Sequence, residues 1–336
     1  MEKSLDRKLA RLAADSSCRD FILADAKDAD MAYGVGGLGT LTHPENPRAR
    51  TLDEFRGCIR DVSRQGLVDI MLMSVSTSDQ LTIGERLFDD TAVTPAVRAN
   101  DSTDIWLADL PSAYARQPSL PFRTASLDHA MGGVERCTDE QRKLGANLGL
   151  YSITLTNDAE RDVRTLEAYA DFRHEAEIKG FRHFLEVFSP NADHRLAADQ
   201  IPAYVNGSIV RLLAGVAKAG RPLFLKIPYF GPAAMEALAS HDSSLVVGIL
   251  GGSAGTTFDA FHMVWEAKKY GARAALFGRK INNAEHQGEF VRMLRAVADD
   301  EIEPAEAVRA YHSSLLQLRV APRRSVEDDL ELSSKS

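Results

Sequence analysis

Eight short runs rich in β-branched and aromatic residues recur along this chain, each bounded by turn residues and most followed by a helical stretch. That alternation leaves few folds open. The runs cover residues 21–26 (FILADA), 67–75 (LVDIMLMSV), 94–99 (TPAVRA), 148–156 (LGLYSITLT), 181–188 (FRHFLEVF), 222–228 (PLFLKIP), 245–252 (LVVGILGG) and 272–278 (ARAALFG). Most are nearly continuous in hydrophobicity, as parallel strands covered on both faces are. The stretches between them read as helices. Residues 159–179 stop at Gly180, 205–219 at Gly220 and 258–270 at Gly271, each glycine suiting a left-handed cap. Pro232 fits the first turn of a helix reaching about residue 240. A strand-then-helix unit repeated eight times predicts an α/β fold, the (β/α)8 TIM barrel. No proline- or glycine-rich linker divides the chain, so the reading is one barrel domain over residues 1–320, opened by an N-terminal helix. A polar tail over 321–336 is expected to fray.

Charge and composition narrow the function. Forty Lys and Arg against 48 Asp and Glu give 40 − 48 = −8, and the pI is near 5.6. Such a chain has no global field for nucleic acid or an anionic membrane. No apolar run approaches the ~20 residues that span a bilayer. The opening MEKSLDRKLARLAADSS reads as a charged amphipathic helix without the apolar core of a signal peptide. Three widely spaced cysteines, Cys18, Cys58 and Cys137, fit reduced thiols and a cytoplasmic location.

In a barrel the loops at the carboxyl ends of the strands carry the site. Two long excursions, residues 31–50 after the first strand and 100–135 after the third, are therefore placed over the mouth. Side-chain alternation then says which residues face inward. On strand six, Leu223, Leu225 and Ile227 form an apolar face for the helices, which turns Lys226 inward; the same parity on strand five turns Glu186 inward. On strand four it selects Ser152, Thr154 and Thr156, and on strand one Leu23, Asp25 and Lys27. A buried amine beside a buried carboxylate is costly without a purpose. Either the two form an ion pair that closes the barrel, or the lysine does amine catalysis. Low dielectric and neighbouring cations favour the neutral amine of such a lysine, which can attack a carbonyl. A carboxylate nearby can then carry protons.

Gly251-Gly252-Ser253-Ala254-Gly255 after strand seven and Gly278-Arg279-Lys280 after strand eight suit the other end of a substrate. Glycines let backbone N–H groups close on an anion, a helix N-terminus adds its positive end, and Arg279 adds a charge-assisted bond. Loops seven and eight are the usual phosphate site of this barrel. Tyr33-Gly34-Val35-Gly36-Gly37 lacks the dinucleotide spacing and reads as a flexible loop. Nine scattered histidines form no HExxH or His-x-His pattern, so no metal site is expected; the adjacent pair Asp128-His129 is the most metal-like feature.

Taken together, LADAKD after a leading helix, LEVFSP on strand five, LFLKIPY on strand six, GGSAG after strand seven and GRKI after strand eight resemble the class I (Schiff-base) aldolases. The group is the one that includes the deoxyribose-phosphate, tagatose-bisphosphate, sulfofructose-phosphate and archaeal-type fructose-bisphosphate aldolases. The resemblance covers about residues 18–283 in element order. It implies that Lys226 is the Schiff-base lysine, with Glu186 and Asp25 as catalytic carboxylates. It also implies substrate or phosphate binding by Lys27, Gly251, Gly252, Ser253, Gly278 and Arg279. The expected activity is a metal- and cofactor-independent aldolase, a carbon–carbon lyase acting on a phosphorylated sugar or related keto compound, in a homo-oligomer. A non-catalytic phosphosugar-binding barrel and a phosphosugar isomerase or epimerase are the alternatives. Several members of the group carry a basic residue on strand four, where this chain has only Ser152, Thr154 and Thr156, and the segment 100–135 has no counterpart.

Overall fold

The computed structural model describes residues 1–41, 48–106, 112–252 and 255–333. Each of the eight runs supplies one strand: β1 (Ile22–Lys27), β2 (Ile70–Met73), β3 (Thr94–Arg98), β4 (Leu148–Thr154), β5 (Arg182–Phe188), β6 (Leu225–Lys226), β7 (Gly248–Leu250) and β8 (Ala274–Phe277). All pair in parallel, in the spatial order β6-β5-β4-β3-β2-β1-β8-β7. The two ends meet, since Ile227 bridges Ile249. The Ile227 amide donates to Gly248 O at 3.0 Å, and the Leu250 amide donates back to Ile227 O at 2.9 Å. The sheet is thus a closed barrel of eight strands, with the helices around it.

Strand parity sorts the apolar residues into two cores. Ile22, Ala24, Ala26, Ile70, Leu72, Ala96, Leu148, Leu150, Phe184, Phe224, Ala274 and Leu276 pack inside the barrel. Phe184 and Phe224 stack there, with ring centroids 4.6 Å apart. The opposite faces, among them Met71, Met73, Ile153, Leu185, Leu225, Ile249 and Phe277, meet the helices. The N-terminal helix Ser4–Ala14 belongs to the inner core: Leu5, Leu9 and Leu12 share one of its faces and close the inside of the barrel. Local chemistry sets the helix ends. Thr51 and Glu54 form a capping box on Leu52–Gln65. Gly180 at φ +67° ends Ala159–Lys179 where the sequence places that stop.

Two expectations are corrected. The glycines after Tyr33 form a 3-10 helix, Gly34–Leu38, rather than an open loop. Among the described residues of the excursion after β3, Asp101–Ser102 pairs with Pro121–Phe122, and Trp106 stacks on Tyr114 and meets Phe122 edge-on. The tail does not simply fray. The Thr257 amide, at the start of the helix Thr257–Lys269, donates to Asp329 Oδ1 at 2.7 Å, and His312 Nε2 lies 2.9 Å from Asp329 Oδ2. A carboxylate that satisfies an orphan N–H at a helix start pins a segment that composition alone marks as loose.

Candidate active site

Parallel pairing puts residues of matched register side by side at one height of the barrel. Ser152, Glu186 and Lys226 stand in such a row across β4, β5 and β6. Phe184 and Phe224, two residues earlier, lie in the inner core, so Glu186 and Lys226 also face inward, one layer closer to the carboxyl ends of the strands. Lys226 Nζ lies 2.5 Å from Glu186 Oε1, and Ser152 Oγ donates to Glu186 Oε2 at 2.7 Å. Asn100 steadies Ser152 on both sides: Nδ2 donates to Ser152 O at 2.8 Å and Oδ1 accepts from the Ser152 amide at 2.6 Å. The Glu186 side chain is 2% exposed and that of Lys226 10%. The amine therefore has a foot in the cavity, while the carboxylate is walled in.

That cavity, about 110 Å³, opens among the carboxyl ends of the strands and brings together Glu186, Lys226, Gly251, Gly252, Gly278 and Arg279. Gly251 is required by crowding, because a Cβ there would sit 2.2 Å from the Phe277 ring. The Arg279 guanidinium lies 4.9 Å from the centre of the Tyr33 ring, which also lines the cavity. Burial pushes the Tyr33 phenol above its ordinary pKa, against the opposing pull of Arg279. Ser253 lies outside the described residues.

Asp25 and Lys27 do not join this cavity. Asp25 is level with Met71 and Phe277, and Lys27 with Met73, all three of which belong to the outer core. Both side chains therefore point into the layer between strands and helices. There they pair with each other at 3.0 Å, with no exposed surface. Opposite charges two residues apart on one strand neutralise each other, which allows that face to be buried under helices. The alternate face gives the crowded interior Ala24 and Ala26. Burial raises the Asp25 pKa, and Lys27 only partly offsets it.

Asp28, one position past the end of β1, lines the cavity instead. Arg98, on β3 at the inward parity of Ala96, donates from Nη1 to Asp28 Oδ2 at 2.9 Å and from Nε to Asp101 Oδ1 at 3.0 Å. A basic residue thus enters from strand three. Sequence reasoning passed over Arg98 and Asp28, although the signals were there: an arginine closing an otherwise apolar run, and a carboxylate in phase with Ile22, Ala24 and Ala26. Asp128 is engaged by Lys179 at 3.1 Å and Arg142 at 3.5 Å, while His129 faces Glu135. Among the described residues no cluster of three or more His, Cys, Asp or Glu is placed to hold a metal ion. No described helix is long and apolar enough to cross a membrane.

No protein-family model matches the chain, and no curated protein matches it in sequence. Solved structures do match. A fructose-bisphosphate aldolase from Slackia heliotrinireducens is similar over 92% of this chain and 91% of its own, at 13% identity and a TM-score of 0.63. An archaeal fructose 1,6-bisphosphate aldolase is similar over 88% and 99%, at 18% identity and a TM-score of 0.60. A further archaeal fructose-1,6-bisphosphate aldolase, with its catalytic Lys covalently bound to the carbinolamine intermediate of the substrate, is similar over 88% and 98%, at 17% identity and a TM-score of 0.58. The barrel of this chain has the fold of the archaeal-type, Schiff-base fructose-bisphosphate aldolases.

Proposed function

We propose that this protein is a class I aldolase that cleaves or forms a carbon–carbon bond in a phosphorylated keto compound through an imine on Lys226. One observation carries the reading: Lys226, nearly buried, reaches the cavity 2.5 Å from Glu186 at the carboxyl end of the barrel. The likeness to Schiff-base aldolases supports it at the level of fold. The Lys226 ammonium passes a proton to Glu186, and the neutral amine so formed adds to the substrate carbonyl to give a carbinolamine. Glu186, oriented by Ser152, protonates the departing hydroxyl, and water leaves to form the iminium. Cleavage of the adjacent C–C bond sends its electron pair into the iminium, giving an enamine. The hydroxyl proton of the leaving aldehyde passes to a carboxylate. Asp28 takes the place that the sequence reading assigned to Asp25, since it alone of the two lines the cavity. Gly252, Gly278 and Arg279 hold the phosphate.

Borohydride reduction in the presence of dihydroxyacetone phosphate and EDTA, followed by peptide mass spectrometry, tests the reading. The expected result is one reduced adduct on Lys226, absent from Lys226→Met. An unlabelled protein, or an adduct on Lys27, refutes it. An isomerase or a pure binding barrel leaves no adduct at all.

A further inference from the structure

Among the described residues the catalytic cavity has one uncharged polar side chain in its wall, that of Tyr33, and no step of the proposed chemistry uses it. The charged groups beside it are paired: Asp28 with Arg98 at 2.9 Å and Glu186 with Lys226 at 2.5 Å. The Tyr33 hydroxyl is met by no hydrogen-bonding group among the described residues. Burial keeps the proton on this phenol, and of the surrounding charges Arg279 acts on it most, then Arg98, Asp28 and Glu186. All four line the cavity. The hydroxyl is therefore turned into it, between the arginine of the phosphate end and the partner of Lys226.

The position is also rigid. Tyr33 ends the short helix Ala29–Tyr33, and the following turn packs so closely on that helix that a Cβ on Gly37 would sit 2.2 Å from Ala29 O. The same turn is tied to the helix Arg279–Asn282. Asn282 Nδ2 donates to Gly37 O at 3.2 Å, and Arg50 Nη1 donates to Leu38 O at 3.3 Å and to Asn282 O at 3.0 Å. With the Arg279 guanidinium 4.9 Å from its ring centre, Tyr33 is fixed against the phosphate arginine, as an oriented donor must be. Of a phosphorylated ketone, Lys226 takes the carbonyl carbon, Glu186 its oxygen and Arg279 the phosphate. A neutral phenol that keeps its proton suits a neutral acceptor, and the hydroxyl on the carbon beside the carbonyl is the group still without a partner. A site built to bond a substrate hydroxyl rejects the analogue that lacks it, because its own donor is then left unpaired.

We infer that Tyr33 sets donor specificity: its hydroxyl donates to the hydroxyl next to the carbonyl and so selects a phosphorylated α-hydroxy ketone over a deoxy one. This rests on the aldolase reading for where the carbonyl sits. Tyr33→Phe keeps the ring beside Arg279 and removes only the donor. Borohydride trapping on Lys226 is followed at subsaturating dihydroxyacetone phosphate and hydroxyacetone phosphate, which differ in that hydroxyl alone. Taking the ratio of the two ketones in each protein cancels their intrinsic reactivities. In Tyr33→Phe the preference for dihydroxyacetone phosphate is expected to fall by about fivefold or more, the loss falling on that ketone while hydroxyacetone phosphate is trapped as before. A smaller change in preference, or an equal loss with both ketones, overturns the inference. If the unsubstituted protein traps neither ketone, it is the aldolase reading that fails. The same ratio is then read from calorimetric affinities, which need no imine, and the same fivefold threshold decides.

Discussion

Replacing Glu186 by Gln separates a proton carrier from a structural counter-ion. The carboxylate receives Lys226 on Oε1 and Ser152 on Oε2, and a carboxamide of the same shape can accept on one side only. Its NH2 then faces a donor, and Lys226 loses its counter-charge in a nearly dry site. Breaking a buried pair costs about 3–5 kcal/mol. The Lys226 side chain is 10% exposed and borders the cavity, so water can reach it and the lower end, about 3 kcal/mol, applies. At roughly 2 °C per kcal/mol for a chain of this size, the melting temperature should fall by about 6 °C. Loss of a positioned acid–base group lowers kcat by about 10² to 10⁴, equivalent to roughly 3–5 kcal/mol of barrier. The two effects are measured on one preparation, by thermal melts and by steady-state retro-aldol rates at a temperature well below the melt. Adding Lys226→Met to Glu186→Gln removes the stranded charge and should recover most of the lost stability but none of the rate. A variant that melts 6 °C lower yet keeps kcat within fivefold would refute proton transfer by Glu186 and leave it a counter-ion.

Three more outcomes are expected. Arg279→Ala should raise KM for phosphorylated substrates by about one to two decades, the loss of a charge-assisted contact of roughly 1.5–3 kcal/mol, with kcat little changed; an unchanged KM removes Arg279 from the phosphate site. Arg98→Met strands Asp28 and Asp101 and should cost about 3 kcal/mol or more in urea unfolding, whereas Arg98→Met with Asp101→Asn recovers part of that; equal stability of the two variants contradicts the pairing. His183, buried against Phe172 and 2.8 Å from the Tyr169 hydroxyl, has its pKa pushed down by burial to about 4 from 6.5. The unfolded chain therefore takes up the proton first, and about 3 kcal/mol of stability present above pH 6.5 drains away as the pH falls towards 4. His183→Gln should flatten that part of the stability profile; an identical pH dependence would show that His183 is not its source.

The repeating order of strands and helices was legible in the sequence because each unit buries its own apolar surface with its own period, a local property. Leu225 and Ile227 had to face helices, and that constraint turned Lys226 inward before any neighbour was known. Strand one defeated the same logic. Asp25 and Lys27 form a self-neutralising pair, so parity alone could not say whether they faced the mouth or the helix layer. The small side chains the interior needs at Ala24 and Ala26 decided it, and that need comes from Leu5, Ile70 and Leu276, remote in sequence. Asp28 and Arg98 are likewise 70 residues apart and become partners only when β1 and β3 flank β2 in the closed sheet. The tail is a third case: nothing in residues 321–333 specifies order until the Thr257 amide offers Asp329 a bond. Periodicity along the chain thus set the barrel, and the register between strands, which no single strand encodes, chose which charges share the cavity.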